Sequence, residues 1–283
     1  MVGGLPRPVG LWLGRAVGAL AAFVLPGRRR IALDNLARAF PALSPDEHKR
    51  LYRRCWQHMG MTGVETCRLL VHPIEDALST ISVEGGEHLL AVMARWGRAL
   101  ILTGHLGNWE LLALAPKLSG FPTTIVARPL DSPWLRPFAN AIRQKAGTVL
   151  LDKRGALREA FIALRQGHLV GILLDQNASR REGIFVPFFG YPACTSRSMG
   201  LLALRTQTPV LPVFIRRSQR GRHTVVIYPP LEAPSEGSDE DKVAALTARC
   251  NVAIEVAIRA APEQWFWVHD RWRTRPDHGT VSL

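Results

Sequence analysis

Lysine is scarce in this chain of 283 residues, and nearly all of its positive charge is carried by arginine. Lysine and arginine together number 36 against 23 acidic residues, which gives a formal net charge of +13. Such a balance favours a polyanionic partner: nucleic acid, an anionic membrane face, a phosphorylated substrate or an acidic protein. Because arginine richness also arises from a GC-rich genome, charge alone does not choose among these classes.

Cysteine is also scarce. Its four positions form no C-x-x-C pair and have no histidine nearby at zinc-finger spacing: Cys55, Cys67, Cys194 and Cys250. A metal site or a disulfide framework is therefore not expected, and the pattern is typical of a reduced intracellular protein. The chain also lacks an internal repeat and a long low-complexity linker. Its length suits one α/β domain with an extension.

One long apolar run is present, over residues 9–26, and it is interrupted only by Arg15. Its 18 residues reach the lower limit for spanning a bilayer, while an internal arginine weakens insertion by about 2.5–3.5 kcal/mol at mid-depth. The run is interpreted as a spanning helix, an interfacial helix or a buried core helix. The cluster Arg28-Arg29-Arg30 follows the run, which is the reverse of a signal peptide and predicts a cytoplasmic location for the rest of the chain.

A helical pattern follows over residues 28–70. Ser44 and Glu47 form a capping box around Pro45 at the first helical position, which predicts that a second helix begins there. Basic side chains of this helix either contact lipid headgroups or form a solvated face: Lys49, Arg50, Arg53 and Arg54.

After Pro73, short apolar runs alternate with helical stretches. Continuous apolar runs are typical of strands that are covered on both faces. The predicted strands are 81–83, 99–102, 123–126, 149–151, 169–174, 210–215 and 224–228. The predicted helices are 133–146, 156–166, 198–205 and 238–261. This alternation predicts an α/β fold with a central, mostly parallel sheet flanked by helices.

We therefore expect three parts along the chain. Residues 1–27 form an N-terminal membrane anchor or interfacial helix, residues 28–72 form a helical lead-in, and residues 73–283 form the α/β core. The last two parts together form one domain, residues 28–283.

The segment ALILTGHLGNWE, residues 99–110, places His105 directly after a predicted strand. In open α/β sheets, ligands bind at the carboxyl ends of strands. Asn108 is a candidate N-cap, which puts Glu110 in the first turn of the next helix. From the preceding loop, His105 can fold back so that Glu110 accepts a hydrogen bond from one ring nitrogen. The other ring nitrogen is then free to take a proton.

This arrangement makes His105 a candidate general base with an orienting carboxylate. The nucleophile would be a hydroxyl of the substrate, attacking an activated acyl group such as a thioester. An isolated H-x4-E pattern is short, so a structural histidine at a strand end is the alternative interpretation.

Five sequence blocks resemble, in the same order, the lipid A biosynthesis acyltransferases of the lauroyl/myristoyl type. The blocks are GHLGNWE at 104–110, RPLD at 128–131, LDQN at 174–177 running into GIFVPFFG at 183–190, TPVLPVF at 208–214, and PEQWFWVH at 262–269 with RTRP at 273–276. The resemblance covers nearly the whole chain. It implies a glycerol-3-phosphate acyltransferase-like fold within the lysophospholipid acyltransferase superfamily, with a membrane-associated N-terminal helix.

The implied activity is that of a bacterial inner-membrane enzyme that moves a fatty acyl chain to a hydroxyl of a lipid A precursor. The acyl donor is acyl carrier protein, which is acidic, or less often acyl-CoA, and no metal or other cofactor is expected. The resemblance maps the catalytic H-x4-E onto His105 and Glu110. It also assigns Arg128 and Arg143 to the active-site face, where arginine suits phosphate-bearing headgroups.

Asp175 and Gln176 follow another predicted strand. They are expected either to line the substrate site or to hold the following loop through hydrogen bonds. One departure from the family pattern is Asp270, which replaces the first of two basic residues after the terminal histidine and weakens the case for an anion contact there. The tryptophans of this block, Trp265, Trp267 and Trp272, form either an interfacial aromatic belt or part of the core.

Two rival functions stay open at this point. The acceptor is alternatively another glycolipid, a lysophospholipid or an aminolipid. A basic membrane-surface or nucleic-acid-binding protein without enzymatic activity would instead interleave aromatic and basic residues on one surface. The tryptophans lie mostly in apolar blocks, so we expect no nucleic acid partner.

Overall fold

The computed structural model describes residues 2–127, 141–142, 145–152, 156–218 and 221–276, and the elements are numbered along these residues. The helices are α1 Arg7–Val24, α2 Pro26–Ala39, α3 Pro45–Val71, α4 Ile74–Leu78, α5 Gly86–Trp96, α6 Ala115–Ser119, α7 Ala156–Arg165, α8 Ser198–Thr206 and α9 Asp239–Ala260. Short 3₁₀ turns occur at Val2–Gly4, Trp109–Leu114 and Pro262–Gln264.

The strands form one large sheet and one hairpin. They are β1 Ile81–Glu84, β2 Ala99–Thr103, β3 Thr123–Ala127, β4 Val149–Asp152, β5 Leu169–Leu173, β6 Gly183–Phe188, β7 Tyr191–Ser196, β8 Val210–Arg217 and β9 His223–Ile227. The large sheet has the order β1-β9-β8-β2-β5-β3-β4 and is parallel except where β8 pairs with β9. The predicted α/β class and all seven predicted strands are confirmed.

The hairpin β6–β7 is an element that the sequence pattern did not predict. Its two-residue turn is Phe189-Gly190, and both residues have positive φ, 50° and 78°. A two-residue turn with two positive φ values matches the right-handed twist of hairpin strands. Phenylalanine is an unusual first residue for such a turn, where asparagine, aspartate or glycine is preferred.

The sheet is covered on both faces, which explains its continuous apolar strands. Leu100 and Leu102 of β2 pack into a cluster with helices α2, α3, α7, α8 and α9 and the C-terminal tryptophans. Ala99 and Ile101, on the other face of the same strand, pack with α4, α5 and the 3₁₀ turn after β2. Side chains alternate across a strand, so β2 supplies both halves of the core.

Of the predicted helices, 156–166, 198–205 and 238–261 correspond to α7, α8 and α9. Most of the predicted helix 133–146 lies outside the described residues. The predicted capping box at the start of α3 is confirmed, because the hydroxyl of Ser44 accepts from the backbone N–H of Glu47 while the Glu47 carboxylate accepts from Ser44. Helix α5 was not predicted.

Helices α1 and α3 pack closely through glycines. A Cβ atom at Gly60 of α3 would lie 2.0 Å from the carbonyl oxygen of Gly14 in α1, so only glycine fits there. Within the described parts of the chain, no single helix meets the length and hydropathy expected for crossing a membrane, but α1 and α2 meet them as a pair bent by 95°.

Candidate active site

The register of β2 and β5 brings His105 and Asp175 together. These strands are parallel neighbours, and Thr103 at the end of β2 pairs with Leu173 at the end of β5. His105 and Asp175 each lie two residues beyond that pair. The sheet therefore delivers an imidazole and a carboxylate to the same carboxyl edge, where α/β proteins bind ligands.

Two glycines allow the His105 loop to sit against its neighbours. A Cβ atom at Gly104 would lie 3.0 Å from Cγ of Asp175, so glycine lets the carboxylate approach the backbone. Gly107 has φ +61°, and a Cβ atom there would lie 2.0 Å from the carbonyl oxygen of Ile215. The glycines of the GHLG segment are thus required by backbone conformation and by close contact.

Asp175 holds His105 by two hydrogen bonds. Its Oδ1 is 2.8 Å from Nδ1 of the imidazole, and its Oδ2 accepts the backbone N–H of His105, also at 2.8 Å. An ionised carboxylate can only accept hydrogen bonds, so Nδ1 carries the ring proton. The lone pair of the neutral imidazole is therefore on Nε2, as a general base requires.

The two groups shift each other's pKa in opposite directions. Burial opposes ionisation of Asp175, but the charge and hydrogen bonds of His105, together with the Trp265 indole, lower the pKa of Asp175 to about 2. Burial likewise opposes protonation of His105. The charge and hydrogen bond of Asp175, helped by the charge of Glu110, outweigh that effect and raise the pKa of His105 above 6.5.

The predicted hydrogen bond between His105 and Glu110 is wrong, because Asp175 occupies the Nδ1 edge. Glu110 lies in the first turn of the 3₁₀ segment Trp109–Leu114. It acts on His105 through its charge. Sequence spacing pointed to a carboxylate five residues away, whereas the orienting carboxylate follows the end of the neighbouring strand β5. The signal that could have identified it is an aspartate directly after a predicted strand.

A polar amide lies beside Nε2 of His105, and two aromatic rings lie near the imidazole. The side-chain amide nitrogen of Gln176 lies 3.3 Å from Nε2. The ring of Trp109 lies 5.2 Å and that of Phe266 6.0 Å from the imidazole centroid. The His105 side chain is 20% exposed, against 1% for Asp175. The imidazole is thus partly exposed, while its orienting partner is buried.

A C-terminal segment covers the His105 loop. Leu106 and Trp265 form an antiparallel bridge. The backbone N–H of Gly107 donates to the carbonyl oxygen of Gln264 at 3.0 Å, and the backbone N–H of Phe266 donates to the carbonyl oxygen of His105 at 3.1 Å. Sequence reasoning did not place this segment at the site. All three tryptophans of the terminal block are buried, so the core interpretation is confirmed and the aromatic belt is wrong.

Asn108 anchors the far side of the loop to a buried ionic cluster. It stands at the predicted N-cap position, but its side chain makes no capping hydrogen bond and donates to Glu65 at 2.9 Å. Glu65 also accepts from Arg217 and, at 3.0 Å, from His223. A cavity of about 290 Å³ borders this cluster. Its lining includes Arg7 of α1 and residues of α3 and α4, but not His105.

Arg128 and Arg143 lie outside the described residues. Among the residues that are described, no three histidine, cysteine or acidic side chains are arranged to hold a metal ion. Burial raises the pKa of Cys55 and of Cys250 to about 12, so neither thiol is ionised near neutral pH. Thiolates are the nucleophilic form of cysteine. The site defined so far is an imidazole oriented by a buried carboxylate at the carboxyl edge of an α/β sheet.

Comparison with known proteins gives this site its context. The sequence profile of the bacterial lipid A biosynthesis acyltransferases matches residues 1–274. The lipid A biosynthesis lauroyltransferase of Escherichia coli strain K12 is 30% identical over 279 residues, covering 96% of this chain and 88% of that protein. The palmitoleoyltransferase of the same strain is 28% identical over 274 residues, with coverages of 96% and 87%. A lipid A biosynthesis acyltransferase of Haemophilus influenzae is 29% identical over 285 residues, with coverages of 99% and 89%.

The class of protein is therefore an acyltransferase built on an α/β sheet. The chain belongs to the bacterial lipid A biosynthesis acyltransferase family, as its resemblance to that family predicted.

Proposed function

We propose that this protein transfers a fatty acyl chain from acyl carrier protein, or from acyl-CoA, to a hydroxyl of a lipid A precursor. The observation that carries the proposal is the hydrogen bond from His105 Nδ1 to Asp175, which leaves Nε2 as the basic atom at a partly open edge. Family membership supplies the acyl transfer and the lipid A pathway.

In the proposed reaction, Nε2 of His105 takes the proton of the acceptor hydroxyl as its oxygen attacks the thioester carbonyl. The new C–O bond forms and the C–S bond then breaks. The leaving thiolate takes the proton back from the imidazolium, so the products are an ester and a free thiol. Asp175 keeps the ring in position and stabilises its charged state.

Gln176 is suited to a binding role in this scheme. Its amide lies at hydrogen-bond distance from the same Nε2 lone pair that the substrate hydroxyl must reach. An incoming hydroxyl would displace the amide, which is then free to contact the acceptor. Glu110 is a catalytic group in the proposal through its charge, which favours the imidazolium that forms during proton transfer.

Association with the bacterial inner membrane, with the catalytic domain on the cytoplasmic side, is part of the proposal. Large apolar side chains on the outer face of α1 are exposed, with Trp12 and Phe23 at 70% and Leu20 at 64%. Basic residues follow at the start of α2. An apolar helix face next to cations is the pattern of a helix that contacts anionic lipid.

The net charge of +13 would also help an acidic acyl carrier protein to dock. Arg128 and Arg143 are proposed to contact the phosphate-bearing headgroup of the acceptor, since arginine binds phosphate through a planar fork of donors.

A transfer assay with mass spectrometry tests this function. Purified protein in anionic phospholipid vesicles is given acyl carrier protein loaded with a fatty acid, or acyl-CoA, together with a lipid A precursor or a lysophospholipid. We expect one added acyl chain on the lipid A precursor. The variant His105→Ala should lose activity by about 10²–10⁴-fold, the usual contribution of a general base.

The control for folding is the denaturant midpoint of His105→Ala, which should fall because the buried Asp175 carboxylate loses its imidazole partner, while the variant stays folded under assay conditions. Near-native turnover by this variant, or acylation of the lysophospholipid alone, would contradict the proposal.

A further inference from the structure

We propose that Trp265 is a positioning residue for this reaction, whose indole N–H holds the Asp175 carboxylate in the orientation in which Asp175 fixes His105. The proposal rests on the proposed function of His105 as general base. It concerns a residue that lies 160 positions away in the chain and reaches the site through the C-terminal segment.

The first step is the geometry of the carboxylate. Trp265 Nε1 donates to Oδ2 of Asp175 at 2.7 Å, and the backbone N–H of His105 donates to the same oxygen at 2.8 Å. Oδ1 is thereby left to the imidazole. Rotation of the carboxylate about its Cβ–Cγ bond would break all three contacts together. Two donors from separate chain segments thus select one orientation of the group.

The second step is that Trp265 is itself held in place. Its side chain is 2% exposed and packs edge-on against Trp267, with ring centroids 4.5 Å apart. Its carbonyl oxygen accepts from the thiol of Cys55 in α3 at 3.2 Å. Its backbone is bridged to Leu106, next to the catalytic histidine. The indole is therefore a rigid donor, fixed in relation to the loop that carries His105.

The third step concerns the charges around the pair. Among the described residues, the other titratable groups that interact electrostatically with His105 or Asp175 are Glu110 on the 3₁₀ turn and His269 and Arg271 on the C-terminal segment. Burial lowers the pKa of His269 to about 4, so this side chain is neutral at neutral pH. The Trp265 indole N–H donates to Asp175 and to none of these groups. Removing this N–H therefore removes one hydrogen bond at the site and leaves the neighbouring charges in place.

The test is the variant Trp265→Phe, which removes the indole N–H and keeps an aromatic ring. Loss of a hydrogen bond to a charged group should lower kcat by about tenfold, while KM changes by less than about twofold. Without this donor the carboxylate is held less firmly against the imidazole, so Asp175 favours the imidazolium less strongly. The acid limb of the kcat/KM profile should therefore move to lower pH.

Two neighbouring tryptophans provide matched controls. Trp267 is equally buried, and its indole donates to the backbone carbonyl of Pro262 at 2.6 Å instead of to the site. Trp272 is also buried, and its indole nitrogen has no hydrogen-bond partner within the described part of the chain. Trp267→Phe and Trp272→Phe should leave the acid limb at its wild-type position. Should Trp265→Phe fail to fold, Trp265→Met, which fills the space flexibly, replaces it.

A second readout does not depend on the substrate. The midpoint of His105 titration is measured by NMR of the ¹⁵N-labelled imidazole in wild type, Trp265→Phe and Trp267→Phe, with the His105 signal assigned from His105→Ala. We expect a downward shift in Trp265→Phe alone. Equal midpoints and equal kcat in Trp265→Phe and Trp267→Phe would overturn the positioning role. An NMR shift in a protein that acylates no lipid A precursor would overturn the proposed function and support the positioning role.

Discussion

At the scale of single residues, two buried carboxylates organise the region around the His105 loop. Asp175 is 1% exposed and Glu65 is 6% exposed. A buried charge is costly unless it is paired and hydrogen-bonded. Asp175 is compensated by the imidazole, a backbone N–H and an indole, and Glu65 by Arg217, His223 and Asn108. Both carboxylates can therefore stay ionised in the interior. Each also accepts hydrogen bonds from the GHLGN loop, Asp175 from His105 and Glu65 from Asn108.

The Glu65 charge has a consequence for stability against pH. Burial opposes its ionisation, but hydrogen bonds and charges from His223 and Arg217 outweigh this and lower the pKa of Glu65 from 4.5 to about 2. A carboxylate whose pKa is lowered by folding stabilises the fold at pH values above its pKa in the unfolded state. This contribution is lost as the pH falls through its pKa in the folded state. We expect Glu65→Gln to cost about 3–5 kcal/mol of unfolding free energy at pH 7, because Arg217 stays buried without its partner.

Urea unfolding of Glu65→Gln and wild type at pH 7 and pH 3 measures this difference, which should shrink at the lower pH. The matched control is Glu84→Gln. Glu84 pairs with Arg216 at 3.0 Å, but both side chains are exposed, so its loss should change stability by less than about 1 kcal/mol. Equal effects of the two substitutions would show that the buried cluster is not stabilised by its charge.

At the scale of elements, the contact between α1 and α3 depends on glycines at helical spacing. Gly10, Gly14 and Gly18 of α1 are buried against α3, so the opposite face of α1 carries the exposed apolar side chains. The apolar run and its charged flank could be read from the sequence. The partner helix could not, because glycines on one face do not identify the surface that they approach.

Two glycines on α3 test this packing. An alanine at Gly60 would place its Cβ atom 2.0 Å from a carbonyl oxygen of α1, whereas Gly63 has open space around it. Gly60→Ala should destabilise the fold by about 1–3 kcal/mol through overpacking. Gly63→Ala should stabilise it by up to about 1 kcal/mol through helix propensity. Thermal and urea unfolding measure both variants, and a stabilising effect of Gly60→Ala would contradict the described helix pair.

At the scale of the whole molecule, the sheet order decides which residues meet. The run of strands could be predicted because strands covered on both faces are continuously apolar, and His105 could be located because it follows one of them. The neighbour of β2 could not be predicted. β5 is separated from β2 by two strands in the chain and adjoins it in the sheet. Asp175 was consequently expected to line the site or to hold the following loop, and Glu110 was given the orienting role.

The same reasoning explains why Trp265 was missed as a site residue. Its block was assigned to the core or to a membrane belt from its composition, and the core assignment is confirmed. Its hydrogen bond to Asp175 depends on the path of the C-terminal segment back across the β2 loop. Such long-range pairing leaves no periodic signal in the sequence.

The measurement that tests the central claim most directly is the pH dependence of kcat/KM for wild type, Asp175→Asn and Glu110→Gln. The pKa of His105 is raised above 6.5, with Asp175 contributing more than Glu110. The base must be neutral to act, so wild-type activity should rise with pH through a midpoint above 6.5. Asp175→Asn should move that midpoint below 6.5. Burial lowers the pKa of His105, and in this variant only the charge of Glu110 opposes that effect. Glu110→Gln should move it less. A wild-type midpoint retained in Asp175→Asn, or a larger shift in Glu110→Gln, would contradict the account.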